Sequence, residues 1–181
     1  MKIPILLWIY LCFAFVIGLK EVRIQTPFAV KKGDSTKLYC LYDTEGDPLY
    51  IVKWYKSGRE FYRYVPREQP STKSFPVGNL RIKESESNAT QVTLTNIDVD
   101  AAGSFSCEIT VDEPTFQTAV VSGIMNVVEL PSHRPSISGL RSKYRVNDTL
   151  KLNCSLKYSK PAANLTWYIN NKQVCINILS I

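Results

Sequence analysis

A chain of 181 residues, 45% hydrophobic and 11% aromatic, is long enough for one or two domains with their own cores, which excludes a disordered chain. Its net charge of +6 permits an acidic partner without demanding one, and a single histidine, His133, leaves a zinc site short of ligands, so neither a metal nor a cofactor is expected. The five cysteines match no C-x2-C spacing and point to disulfides instead.

Taken in chain order, Lys2 is followed by an uncharged apolar run, Ile3 to Ile17, broken only by Pro4, with Val16 and Gly18 at the small-residue positions of a cleavage site. This is the layout of a secretory signal peptide over 1–18, shorter than the roughly 20 residues of a spanning helix. The chain is therefore expected to be secreted and extracellular, with no transmembrane segment in this form and no nucleic-acid partner. Cleavage removes Lys2 and Cys12, leaving a net charge of +5 and four cysteines, Cys40, Cys107, Cys154 and Cys175, in an oxidising compartment.

Short strands between turn signals follow, without long helical periodicity. Strands are predicted over 22–30, interrupted at Pro27, then over 35–42, 50–56, 59–65, 80–83, 90–95, 103–111 and 118–130. The stretch 66–78 reads as a loop with three prolines, and 97–102 as a bend. Residues 131–135 hold two prolines, Ser132 and His133 and read as a linker. The pattern then restarts: Tyr144 to Cys154 echoes Phe28 to Cys40, and Trp167 follows Cys154 by 13 residues as Trp54 follows Cys40 by 14.

Cys40, Trp54 and Cys107 form the core signature of an immunoglobulin sandwich, in which a disulfide bridges two sheets about 10 Å apart beside a buried indole. The 67-residue separation of the cysteines suits a V-type domain with extra strands. A bond closing so long a loop stabilises by about 4 kcal/mol in the chain-entropy model. The expectation is an all-β chain: a V-type immunoglobulin-like sandwich over 19–130, the linker, and an incomplete second immunoglobulin-like domain over 136–181. Trp54 and Phe105 belong to the first core and Trp167 to the second. The run Ala101 to Cys107 departs from the usual D-x-G-x-Y-x-C, with Ala101 in place of Asp and Phe105 in place of the corner Tyr, whose hydroxyl bond is lost.

The stretches LYCLYDTEGDPLYIVKWYKSGREFYRYVP, SNATQVTL, VVSGIMNVVELP, YRVNDTLKLNCS and PAANLTWYINN resemble the insect Beaten path family over about residues 20–174. The resemblance implies two immunoglobulin domains, a role in axon guidance and synaptic partner choice, and binding of Sidestep-like transmembrane immunoglobulin receptors through the first domain. The chain departs from the family after Gln173, where it reads Val174 to Ile181 and lacks the later strands and second core cysteine that a complete second domain needs. Residues 136–181 are accordingly not expected to form a stable sandwich alone.

Because Trp54 points inward, strand alternation sends Lys53 and Tyr55 outward. With Arg59, Phe61, Tyr62, Arg63 and Tyr64 they make an aromatic and basic run suited to a protein contact, since Tyr and Arg are favoured anchors. The alternative is a basic patch of Lys53, Lys56, Arg59, Arg63 and Arg67 for sulfated glycans such as heparan sulfate. An enzyme is not expected: a Ser-His-Asp arrangement has only His133 of the linker to draw on, and no phosphate loop is present. Sequons at Asn88, Asn147, Asn153 and Asn164 mark expected surface glycans.

Overall fold

The computed structural model describes residues 19–174; the signal-peptide reading and Cys175 fall outside these residues. Nine strands occupy the first part: β1 Lys20–Gln25, β2 Ala29–Lys31, β3 Thr36–Asp43, β4 Leu49–Lys56, β5 Arg59–Tyr64, β6 Thr72–Ser74, β7 Gln91–Leu94, β8 Gly103–Val111 and β9 Thr118–Val128. They form two sheets, one ordered β1-β3-β7 and the other β2-β9-β8-β4-β5-β6. The chain changes sheet between β1 and β2, and β2 then pairs parallel with β9, Val30 opposite Val127.

Alternation along each strand sends one side chain in two between the sheets. Leu38, Cys40, Val52, Trp54, Val92, Leu94, Phe105, Cys107, Ile109 and Met125 are all buried there. Cys40 and Cys107 are joined by a disulfide with their Cα atoms 6.2 Å apart. Trp54 lies directly across the ladder from Cys107. This is an all-β, immunoglobulin-like sandwich, and the additional strands β5 and β6 beyond β4 are those of a V-type sheet.

Two expectations for this part change. Residues 80–83 make only an isolated bridge, Ile82 to Leu94, flanked by backbone bonds from Lys83 N–H to the Thr93 carbonyl and from Thr95 N–H to the Arg81 carbonyl, because the 3-10 turn Glu84–Glu86 follows at once. The stretch 66–78 contains β6, which pairs with β5 through Tyr62 to Ser74 and Tyr64 to Thr72. Its polar sequence, TKS, carries no apolar alternation, because it is an edge strand with little to bury.

Beyond 130 the described ladders are short. β10 Ser136–Ser138 pairs antiparallel with β11 Asn153–Ser155, and β12 Trp167–Ile169 with β13 Lys172–Val174. The β12–β13 hairpin turns through Asn170 and Asn171, both at positive φ, the geometry of a tight two-residue turn. Reciprocal 2.9 Å backbone hydrogen bonds join Glu129 and Lys160. Trp167 is half-buried rather than a core residue, and its neighbours Tyr168 and Ile169 are exposed. The physical reason is that every fully buried side chain among the described residues lies between Val30 and Val127, and β12 has only β13 beside it. Cys154 is a free thiol among the described residues.

Candidate partner-binding face

The outer surface of the six-stranded sheet is set by register. Lys73, Arg63, Lys53, Glu108 and Val120 lie opposite one another on β6, β5, β4, β8 and β9, forming one row across the sheet. At about 4.8 Å per strand that row spans about 19 Å. Beside it runs a second row of Tyr55, Ser106 and Ser122, and beyond it Ser104 stands opposite Ile124.

The polar centre of these rows is tied together. Lys53 Nζ donates to Glu108 Oε1 at 3.0 Å, and the Tyr55 hydroxyl donates to Glu108 Oε2 at 3.1 Å. Arg63 grips Glu60 with two bonds, Nε to Oε1 at 2.6 Å and an Nη to Oε2 at 3.1 Å, while its guanidinium lies 5.0 Å from the Phe75 ring centroid. The hydrogen bond to Glu108 holds the Lys53 ammonium above its ordinary pKa against the opposing effect of burial. Burial first, and then the Glu108 charge, raise the Tyr55 phenol. The Glu60 hydrogen bond raises Arg63. Both cations therefore remain charged, with side chains held in place before any partner arrives. At the β9 edge Val120 and Ile124 are 57% and 68% exposed, which puts two aliphatic side chains in water beside the charged rows.

The seven residues picked from sequence divide. Lys53, Tyr55 and Arg63 lie on this outer face, and Arg59 is exposed at the β4–β5 turn. Phe61 and Tyr62 are fully buried and belong to the core, so they leave the candidate contact surface. Tyr64 packs half-buried against the same core. The reason is a β-bulge. Tyr55 pairs with Glu60 but Trp54 pairs with Tyr62, which leaves Phe61 as an extra residue on β5. Residues opposite one another share a face, so Tyr62 follows Trp54 inward and Tyr64 follows Val52. Phe61 then fills the space between Trp54 and Phe105, with ring centroids 6.5 Å and 5.9 Å away. Glu60, Glu108, Val120 and Ile124 were missed. Glu108 and Val120 were readable in principle, the first by its place next to Cys107 and the second by alternation along β9.

The basic patch also divides. Lys56 is buried, and Arg67 pairs with Asp112 at 2.7 Å. Lys53 and Arg63 are paired as described, which leaves Arg59 as the one exposed member of the five without an ion pair among the described residues. Asn88, Asn147, Asn153 and Asn164 are all exposed. Asn88 precedes β7 of the opposite sheet, and its Oδ1 accepts from the Thr90 and Gln91 backbone N–H groups at 2.9 and 3.1 Å.

A family model for the CD80-like C2-set immunoglobulin domain matches residues 131–179. The chain is 29% identical over 89 residues to cell adhesion molecule 3 of Xenopus laevis and 30% identical over 88 residues to the human protein of that name. Each match takes in 49% of this chain but only 21% of the relative, so the shared region spans about a fifth of those proteins. Among solved structures, murine CEACAM1b superposes with a TM-score of 0.61 at 18% identity, over 87% of this chain and 77% of its own. The amphioxus IgVJ-C2 molecule gives 0.53 at 19% identity, over 79% and 77%. Among the described residues no helix is long and apolar enough to cross a membrane. The chain has an all-β immunoglobulin-like fold, carries a segment matching the C2-set family model, and is similar to immunoglobulin-superfamily cell adhesion molecules.

Proposed function

We propose that this is a non-enzymatic extracellular recognition protein that binds an immunoglobulin-superfamily receptor on another cell through the outer face of its six-stranded sheet. The observation that carries the reading is the cross-sheet arrangement. A fixed charged centre, Lys53–Glu108–Tyr55 and Arg63–Glu60, is bordered by exposed Val120 and Ile124. Charged groups already paired give orientation and selectivity, and aliphatic area at the border gives affinity. None of the four sequons lies on this face, so glycans at Asn88, Asn147, Asn153 and Asn164 leave it open.

The Beaten path resemblance narrows the partner to a Sidestep-like transmembrane immunoglobulin receptor, in axon guidance and synaptic partner choice. The same reading takes 1–18 as a signal peptide, 19–130 as the V-type binding domain, and 136–181 as a partial second domain, with the protein secreted and glycosylated. A sulfated-glycan site built on Lys53, Lys56, Arg59, Arg63 and Arg67 is disfavoured, because Lys56 is buried and Lys53, Arg63 and Arg67 are each paired with a carboxylate, which leaves Arg59 alone of the five exposed and unpaired among the described residues. The test is binding of the secreted chain to cells displaying Sidestep-like receptors. Val120→Glu with Ile124→Glu should weaken binding at least about tenfold, about 1.4 kcal/mol, at unchanged melting temperature. Undiminished binding by that variant would move the interface off this face.

A further inference from the structure

Charge is unevenly divided along the chain. Residues 19–130 hold thirteen Lys and Arg against fifteen Asp and Glu, whereas 131–174 hold eight Lys and Arg against one acid, Asp148. The ion pairs among the described residues all join partners within the first part, so none of the eight later cations is paired with a carboxylate of the described residues. Such asymmetry between halves marks a surface for an anionic partner.

The cations are not merely scattered. An open depression of about 290 Å³ is lined by Gly139, Arg141, Tyr144, Asp148, Thr149 and Lys151. Its wall is held by the backbone. The Tyr144 hydroxyl accepts from the Arg141 N–H at 2.8 Å and donates to the Gly139 carbonyl at 3.5 Å, which closes the loop 139–144. Gly139 lies so near the neighbouring segment that a Cβ there would stand 2.7 Å from the Lys151 carbonyl oxygen, so this glycine brings the Arg141 and Lys151 segments together. The lone acid is engaged as well: Asp148 Oδ2 accepts from the Arg145 N–H at 2.8 Å and closes a turn. Arg141, Lys143 and Arg145 stand at alternate positions along this loop, and all three are exposed.

We infer that the 131–174 segment binds a sulfated glycan chain, with Arg141 and Lys151 receiving one sulfate in the depression and Lys143 and Arg145 extending the contact along the polymer. A linear polyanion with repeated sulfates suits a concave, cation-lined site with a tyrosine ring in its wall better than a flat bilayer does. The inference uses the extracellular placement proposed above, and it is independent of the receptor-binding face, whose residues lie on other strands.

The test uses the full secreted chain on immobilised heparin at about 0.15 M salt. Desulfated heparin, duplex DNA and vesicles of phosphatidylcholine with phosphatidylserine serve as the other arms. The chain should bind heparin and lose it on desulfation. Arg141→Gln with Lys151→Gln should weaken heparin binding at least about tenfold. The charge-matched control, Lys31→Gln with Arg81→Gln, should change it less than twofold, and both variants should keep receptor binding and the parent melting temperature. Arg141→Lys, which keeps the charge, should retain most of the heparin affinity. Equal losses in the two neutralised pairs, no heparin binding at that salt, or stronger binding to DNA or vesicles would overturn the site. Loss of receptor binding with heparin binding intact would instead strike only the reading of the sheet face.

Discussion

The Lys56 ammonium lies 5.0 Å from the centroid of the Phe105 ring and donates a 2.6 Å hydrogen bond to the carbonyl oxygen of Ala102. Phe105 occupies the position where a tyrosine hydroxyl would tie down the corner before β8, and a lysine from β4 supplies a donor to that corner instead. Burial lowers the Lys56 pKa, with Asp100 opposing. Gly103 completes the arrangement. Its φ is +125°, and a Cβ there would meet Lys56 Nζ at 2.7 Å.

Gly103→Ala should therefore destabilise the fold by about 1–3 kcal/mol, from backbone strain together with displacement of the ammonium. In a Lys56→Ala background the displacement disappears and only the strain remains. Chemical denaturation of the four proteins of this cycle should give a coupling of at least about 0.5 kcal/mol. Strict additivity would show that the two residues do not share this corner.

Tyr55 and Tyr62 should behave as opposites. Tyr62→Ala removes a fully buried ring and should cost about 3–5 kcal/mol, lowering secretion and melting temperature. Tyr55→Ala should cost no more than about 1 kcal/mol, since its hydrogen bond to Glu108 is partly exposed, yet weaken receptor binding about tenfold. Melting curves beside binding isotherms separate the two, and a stable, non-binding Tyr62→Ala protein would contradict the buried placement.

Alkaline pH should unfold the protein early. Burial pushes the Tyr42 phenol up to about 12, and Tyr62 is raised further by burial and then by Glu84. The unfolded chain releases these protons near the ordinary value of 10 while the folded chain retains them, so stability falls as pH rises from about 10 toward 12. Tyr42→Phe also removes the hydrogen bond to the Ala89 carbonyl, so it should start less stable but lose less between pH 10 and 12. Melting temperature against pH reads both effects, and identical slopes for parent and variant would exclude Tyr42 as a contributor.

Proteolysis should act first on the second part. The stretch 131–135 is exposed throughout, and Leu140, Val146, Tyr158, Tyr168 and Ile169 carry large apolar side chains into solvent. Among the described residues, 19–130 contain the disulfide and every buried core side chain. Brief digestion should leave a resistant fragment ending near Leu130, identified by mass. Equal resistance through Val174 would show that the later ladders belong to a folded unit.

Glycan use at Asn88 is the remaining expectation. Its side chain is exposed at the start of β7, while the Oδ1 contacts hold the sequon in a tight turn. Enzymatic deglycosylation of the secreted protein followed by peptide mass analysis should find Asn88 converted to aspartate, with receptor binding unchanged. Unmodified Asn88 would remove it from the sites.

Cys40, Trp54 and Cys107 were legible in the sequence because each is fixed by one requirement: a side chain that spans or fills the space between two sheets. Lys53 and Tyr55 followed from Trp54 by alternation alone. Alternation failed at Phe61 and Tyr62, because a bulge adds a residue without leaving a mark in composition. β6 was invisible for a different reason, since an edge strand of Thr, Lys and Ser has no apolar period to detect. The pairing of Lys53 with Glu108 rests on strand register between segments 55 residues apart, which a local reading of the sequence does not reach.

The parallel pairing of β2 with β9 has a mechanical consequence. β2 lies near the N-terminal end of the sandwich and β9 at its C-terminal end, and the two run in the same direction. Tension applied to the two ends of the sandwich pulls these strands past each other along their length. The ladder from Ala29–Asn126 to Lys31–Val128, extended by the Lys32 N–H to the Val128 carbonyl at 2.8 Å, is then loaded in shear, with its bonds sharing the force. A strand at the rim of an antiparallel hairpin would instead open one bond at a time. The six-stranded sheet therefore keeps its outer face intact under a load that would unzip a peeled edge.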